Sequence, residues 1–232
     1  YISGLNQNSL KKINSDFKIT LKKNTKTEKK LNDFIINNLS FFDYGKFVLK
    51  KTKFLESCQG LQIEVLKKIL VTCSGTLYPP RTLSVKTLAK KIKIKDKFKF
   101  SLNWCIINVK QDLIEFYREY QKINKYCSTK VILKKKKSFL WDDRFVIETS
   151  ENDITCEVMN EKKWIFIKRK FKSVNSFEQI GYDIVRTLPI IRVKKKLIIP
   201  HFLNQNELAK HSVKFFFNPI IPLTKKNFLN IN

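Results

Sequence analysis

The stretch Phe98-Lys99-Phe100-Ser101-Leu102-Asn103-Trp104-Cys105-Ile106-Ile107-Asn108-Val109-Lys110-Gln111-Asp112-Leu113-Ile114-Glu115-Phe116-Tyr117-Arg118-Glu119-Tyr120 decides the fold. Phe98-Lys99-Phe100 alternates apolar with polar. Trp104 to Val109 is rich in strand-forming residues, and Leu113 to Tyr120 holds Ile, Phe and two Tyr. Gln111-Asp112 reads as the turn between the last two strands. A β-meander therefore begins near residue 98, and what surrounds it sets the class.

Upstream the pattern is helical. From Asn6 to about Ser40, apolar residues recur every three to four positions: Leu10, Ile13, Phe17 and Leu21, then Leu31, Phe34, Ile35 and Leu39. Asp43-Tyr44-Gly45 is a turn signal, and Lys46 to Lys50 fits a short extended segment. Thr52 to Thr72 reads as one amphipathic helix with Leu55, Val65, Leu66, Ile69 and Leu70 inward. Gly75 suits the C′ position, and Tyr78-Pro79-Pro80-Arg81 blocks continuation before a third helix over Ser84 to Ile92. The first ninety residues thus read as all-α. Downstream, Phe145 to Glu148, Thr155 to Met159 and Trp164 to Lys168 read as strands. Phe177 to Arg186 reads as a short helix capped by Asn175 or Ser176, and Arg192 to Ile199 as a hairpin over Lys194-Lys195-Lys196. The expected class is α+β, a helical N-terminal part followed by a small mixed α+β domain. The expected division is 1–95, 96–205 and a loosely packed tail, 206–232.

Net charge is +27, from 47 basic and 20 acidic residues among 232. Such a field attracts polyanions, nucleic acid first. AT-rich coding inflates Lys, Asn, Ile and Phe whatever the function, so charge alone does not establish a partner. A hydrophobic content of 43% with 19 Phe supplies a core. No apolar run approaches the ~18 residues of a spanning helix, and no signal peptide is visible, so no membrane partner is expected. Cys58, Cys73, Cys105, Cys127 and Cys156 are scattered without a C-x-x-C pair. Neither a disulfide framework nor a zinc site is expected, and most read as small core residues of a reducing compartment.

No complete catalytic centre is visible. Asp142 and Asp143 are adjacent carboxylates that point apart along the chain, and turn capping or pairing with Arg144 suits them better than acid–base work. His201 and His211 have no carboxylate or Cys at ligand spacing. The five Gly form no phosphate-binding loop. Expected catalytic, cofactor and metal residues in this chain are therefore none. RNA contact has more support. Lys90-Lys91, Lys134-Lys135-Lys136-Lys137, Lys168-Arg169-Lys170 and Lys194-Lys195-Lys196 can neutralise phosphates. Arg is scarce: Arg81, Arg118, Arg144, Arg169, Arg186 and Arg192 make up six of the 47 basic residues. Scarce Arg marks places that need a planar donor, either phosphate recognition or an internal carboxylate clamp. The expected RNA-binding set is Arg81, Arg118, Lys134 to Lys137, Arg144, Lys168, Arg169, Arg192 and Lys194 to Lys196. Trp141, Trp164 and Tyr182 stand near these clusters as residues that stack on bases or pack in the core.

Several landmarks occur in a fixed order: Ile2-Ser3-Gly4-Leu5; Phe42-Asp43-Tyr44-Gly45 with Leu49; Leu70 to Arg81 (LVTCSGTLYPPR); Cys105-Ile106-Ile107 with Phe116-Tyr117-Arg118-Glu119; Trp141-Asp142-Asp143-Arg144-Phe145; and Leu188-Pro189 with Ile199-Pro200-His201. Together they resemble the C-terminal half of bacterial tRNA(Ile)-lysidine synthetases, especially the short alphaproteobacterial form. Asp143 stands where that family often has Gly, and the tail after Phe202 has no counterpart.

The resemblance implies a protein that ligates lysine to the anticodon wobble cytidine of an isoleucine tRNA with ATP. An N-terminal PP-loop domain with an S-G-G-x-D-S motif performs that chemistry, and the C-terminal part grips the tRNA. The motif does not occur here, so no ATP, lysine or catalytic position is carried over. Tyr1 in place of Met fits an incomplete or processed chain. Expected partners are isoleucine tRNA, the PP-loop domain in cis or as a separate chain, and a second copy in a homodimer. The expected setting is the cytoplasm of an AT-rich bacterium or an organellar matrix. The alternative is a non-catalytic RNA-scaffolding protein, such as an organellar ribosomal component.

Overall fold

In the computed structural model, residues 25–123, 131–133, 138–150, 154–170, 180–193, 196–200, 210 and 212–224 are described. Residues 25–38 are helical (α1). They are followed by β1 (Leu39–Phe42), β2 (Lys46–Lys50), α2 (Lys51–Glu56), α3 (Gln59–Ser74) and α4 (Thr82–Ile94). The expected meander follows as β3 (Phe98–Leu102), β4 (Cys105–Val109) and β5 (Leu113–Arg118). Then come β6 (Val131–Leu133), β7 (Ser138–Trp141), β8 (Phe145–Thr149), β9 (Ile154–Val158), α5 (Glu161–Lys170), α6 (Tyr182–Val185), β10 (Pro189–Val193), β11 (Lys196–Ile198) and β12 (Val213–Phe217). The mixed α+β class is as the pattern required.

Three antiparallel sheets organise these strands, with orders β1-β2-β5-β4-β3, β11-β10-β9-β6 and β12-β8-β7. In the five-stranded sheet, period-two alternation places Phe47 and Leu49, then Ile114 and Phe116, then Cys105, Ile107 and Val109 on one buried face. Helix α3 packs across β2, β4 and β5 on that face and against α4. Its Val65, Leu66, Ile69 and Leu70 are fully buried. The three-stranded sheet closes on the β1–β2 edge through rings: Phe217 lies 5.0 Å from Phe41 and 5.2 Å from Phe145 between centroids. Around α5, Met159, Trp164, Ile167, Val185, Ile190 and Ile199 form a second, smaller cluster.

Several expectations change. The first ninety residues are not all-α, because β1 and β2 supply two strands that pair with β5. The division at 95/96 therefore cuts through one sheet and one core. The helix expected over Thr52 to Thr72 is two helices, broken at Ser57-Cys58, and Leu55 on the shorter one is exposed rather than inward. Trp164 to Lys168 is helical, not extended. The tail is not loose between residues 213 and 217, where β12 pairs with β8. Residues 6–24 of the first expected helix, Asn175, Ser176, His201 and His211 lie outside the described residues. Cys73, Cys105 and Cys156 are buried thiols, and Cys58 is exposed.

Candidate nucleic-acid interface

The C-terminus of α3 is held by two hairpin turns, one from each neighbouring sheet. Gly75 ends the helix in the left-handed region at φ +73°, its N–H bonding the Val71 carbonyl at 3.0 Å. A Cβ at Gly75 would stand 2.8 Å from the Asp143 carbonyl oxygen and 3.0 Å from that of Asp142. The β7–β8 turn therefore presses its backbone onto the helix end, and only glycine admits that approach. On the other side, the Asn103 amide of the β3–β4 turn donates to Ser74 Oγ at 3.1 Å and Thr76 Oγ1 at 3.0 Å. Both turns carry consecutive left-handed residues, Asn103 (φ 50°) with Trp104 (φ 61°), and Asp142 (φ 47°) with Asp143 (φ 57°).

Between the two turns lies a buried ion cluster. Arg118 grips both oxygens of Asp142, Nε to Oδ2 and Nη2 to Oδ1, each at 2.8 Å. It also donates to the Trp104 carbonyl at 3.4 Å and to that of Lys122. Arg144 approaches the same carboxylate, Nε to Oδ2 at 3.0 Å, and reaches the Thr187 carbonyl at 3.3 Å. All three side chains are fully buried. Burial pulls the Arg118 guanidinium down, but its bonds to Asp142 override this and leave it above its ordinary value. Burial holds Arg144 below its ordinary value; Asp142 counters that, and the positive charge of Arg118 adds to it. Two guanidinium groups share one carboxylate, next to the negative end of α3.

The surface beside this cluster is apolar, aromatic and basic. Thr76 Oγ1 donates to the Tyr78 carbonyl at 3.2 Å, so the bonds of Thr76 join the α3–α4 loop to the Asn103-Trp104 turn. Leu77 is 55%, Tyr78 79% and Leu83 77% exposed. Trp104 is 43% exposed, with the Arg118 guanidinium 5.1 Å from its ring centroid. Helix α4 turns Val85, Leu88, Ala89 and Ile92 inward and shows Lys86, Lys90 and Lys93 to solvent. Its sequence TLSVKTLAKKIKI contains no acid. Among the described residues, Arg81, Lys86, Lys90 and Lys93 form no ion pair.

The sequence-derived RNA set divides. Arg118 and Arg144 are interior and committed to Asp142, so they are removed from the surface, and for these two the carboxylate-clamp reading applies. Arg81 is exposed at the start of α4, Lys168 and Arg169 are exposed on α5, and Arg192 is exposed on β10. Lys134 to Lys137, Lys194 and Lys195 lie outside the described residues, and Lys196 pairs by backbone with Val193. Trp141 is fully buried and Trp164 is 6% exposed, so neither presents a stacking face. Tyr182 packs 6.4 Å from Trp164. Tyr78, Lys86, Lys93 and Trp104, exposed on this surface, were not among the residues that the sequence put forward for RNA contact. The available signal was Asn-Trp at a two-residue hairpin, where Asn-Gly fits best.

The chain is 29% identical over 188 residues to a tRNA(Ile)-lysidine synthase of Rickettsia felis, covering 78% of this chain and 43% of that protein. It is 28% identical over 206 residues to the tRNA(Ile)-lysidine synthase of Rickettsia peacockii, covering 84% of this chain and 38% of that protein. The chain is similar to the tRNA(Ile)-lysidine synthases. A third such enzyme, from Rickettsia typhi, is 29% identical over 184 residues. The expected resemblance therefore holds over most of the chain, which spans about two fifths of the length of these relatives, 43% and 38% in the first two. No protein-family model matches the chain. These relatives are bacterial, which gives the organellar alternative no support. Among the described residues, no helix is long and apolar enough to cross a membrane, and no His, Cys, Asp or Glu cluster suits a metal ion.

Proposed function

We propose that this chain is the tRNA-gripping portion of a tRNA(Ile)-lysidine synthase. It would hold isoleucine tRNA while a PP-loop domain, which also binds ATP and lysine, modifies the anticodon. The observation that carries the reading is the acid-free outer face of α4, where Lys86, Lys90 and Lys93 stand exposed beside Arg81 with no ion pair among the described residues. Exposed cations on one helix face are suited to successive backbone phosphates. The names of the relatives supply the kind of RNA. Lys168, Arg169 and Arg192 extend the proposed footprint, as do Lys134 to Lys137 and Lys194 to Lys196.

Filter binding of isoleucine tRNA at several salt concentrations tests this. Affinity is expected to fall steeply with salt, and the triple change Lys86→Ala, Lys90→Ala, Lys93→Ala should flatten the log–log slope by about 2–3, near 0.7–0.9 per phosphate contact. A wild-type chain that does not bind the tRNA at low salt, or a triple variant with an unchanged slope, excludes this face.

A further inference from the structure

We infer that Trp104 and Tyr78 form a stacking platform for an unpaired RNA base. This rests on the RNA-binding reading above and names the part of the RNA that the surface takes.

Trp104 occupies a strained backbone position, with one side of its ring toward Arg118 and the rest open to solvent. At φ +61° it sits in the left-handed region, in the second place of a two-residue turn between Leu102 and Cys105. Glycine fits that place without steric cost, whereas a bulky side chain there is an outlier. The strained residue nevertheless keeps 43% of its surface in solvent. Strain of this kind persists where surrounding structure over-determines it, and it clusters at ligand sites. Here the over-determination is visible. The Trp104 carbonyl accepts from the Glu119 N–H at 2.9 Å and from buried Arg118 at 3.4 Å, while Asn103 is pinned to the end of α3.

Tyr78 comes to the same place by a separate route. Its backbone is bound to Thr76, the residue that also receives the Asn103 amide, and its side chain is 79% exposed. Two aromatic side chains thus leave one stitched pair of loops, neither closed over by the core. A purely apolar protein partner would suit Leu77 and Tyr78 but not the exposed cations that follow at Arg81 and along the acid-free α4. An unpaired nucleotide suits both, its base on the rings and its phosphates on the cations. Paired bases hide their faces in the helical stack, so the platform selects loops over duplex.

The experiment uses the 232-residue chain, a stem–loop RNA with 2-aminopurine substituted in turn at each loop position, and a fully paired duplex of equal length. Trp104→Gly relieves the turn but removes the ring beside Arg118, so the melting temperature should change little. The substitution should also weaken stem–loop binding by roughly tenfold to a hundredfold, the range of one lost base stack. Tyr78→Ala should weaken the stem–loop similarly, Tyr78→Phe should restore it, and duplex binding should change little. At one loop position the probe should quench on binding wild type and not on binding Trp104→Gly. Equal losses for loop and duplex, or none for either while wild type still binds both, would overturn the platform and leave the wider RNA reading standing. If wild type bound neither RNA, the wider reading would fail first.

Discussion

Asp142 sits between two arginines that cannot leave the protein interior. Its carboxylate accepts from Arg118 at 2.8 Å and from Arg144 at 3.0 Å, and none of the three side chains reaches solvent. Removing its charge strands two buried guanidinium groups. Asp142→Asn is therefore expected to cost about 3–5 kcal/mol of stability, measured as a lower urea midpoint at unchanged slope. A loss below about 1 kcal/mol would mean that water or the surrounding carbonyls carry the cluster instead. Half of this arrangement was legible in the sequence. Strand alternation through Ile114, Phe116 and Arg118 puts the arginine on the core-facing row, and the pairing of Cys105 with Arg118 keeps it there. Pairing of Asp142 with Arg144 was also readable from their spacing. What the sequence hid was Arg118 reaching the same carboxylate, because that contact depends on how two sheets meet around the end of α3.

At the scale of elements, local propensity and packing disagree most clearly in α5. Trp164-Ile165-Phe166-Ile167 contains strand-forming residues and reads as β. Yet Trp164 and Ile167, three apart, are the buried pair, while Ile165 and Phe166 are 41% and 54% exposed. A three-residue spacing is a helical one, and the start signal lies just upstream: Asn160 Oδ1 accepts the Lys163 N–H at 2.9 Å, with Glu161 in the first turn. Asn160→Ala should cost about 1 kcal/mol, seen as a lower thermal midpoint, whereas Asn160→Ser should retain most of the cap. If Ser and Ala behave alike, the cap bond is not what starts α5. The break between α2 and α3 has a comparable origin. Gln62 Nε2 donates to the Phe54 carbonyl at 2.9 Å and the Ser57 carbonyl at 2.8 Å, satisfying groups that a continuous helix would have used itself. Nothing in the apolar periodicity marks that substitution of partners.

For the molecule as a whole, 20 acids stand among 47 bases, and some of the acids are held by more than one base. Glu115 is pushed up by burial, but Lys110 and Lys46, each at 2.9 Å, outweigh it and hold the carboxyl below its usual range. The Lys99 ammonium at 2.8 Å does the same for Asp183. A carboxylate held low in the folded state contributes stability above its unfolded value, near 4, and loses it as pH falls through the folded value. Burial raises Asp43, which works in the opposite sense. Unfolding free energy should therefore hold from neutral pH to about 5 and decline below about 4, and Glu115→Gln should remove part of that decline. Urea titrations at stepped pH would show it; a flat profile in wild type, or the same acid limb in the variant, contradicts the assignment.

The ring contacts of β12 carry a consequence for synthesis. Phe217 closes against Phe41 and Phe145, so a residue near the start of the first sheet waits for one made long afterwards. The five-stranded sheet can pair as it leaves the ribosome, because its strands lie within residues 39 to 118. The Phe41 ring at its β1–β2 edge lacks its Phe217 contact until residue 217 has been added. During that interval the growing polypeptide shows a sticky aromatic seam, the condition under which nascent chains recruit chaperones or associate with one another.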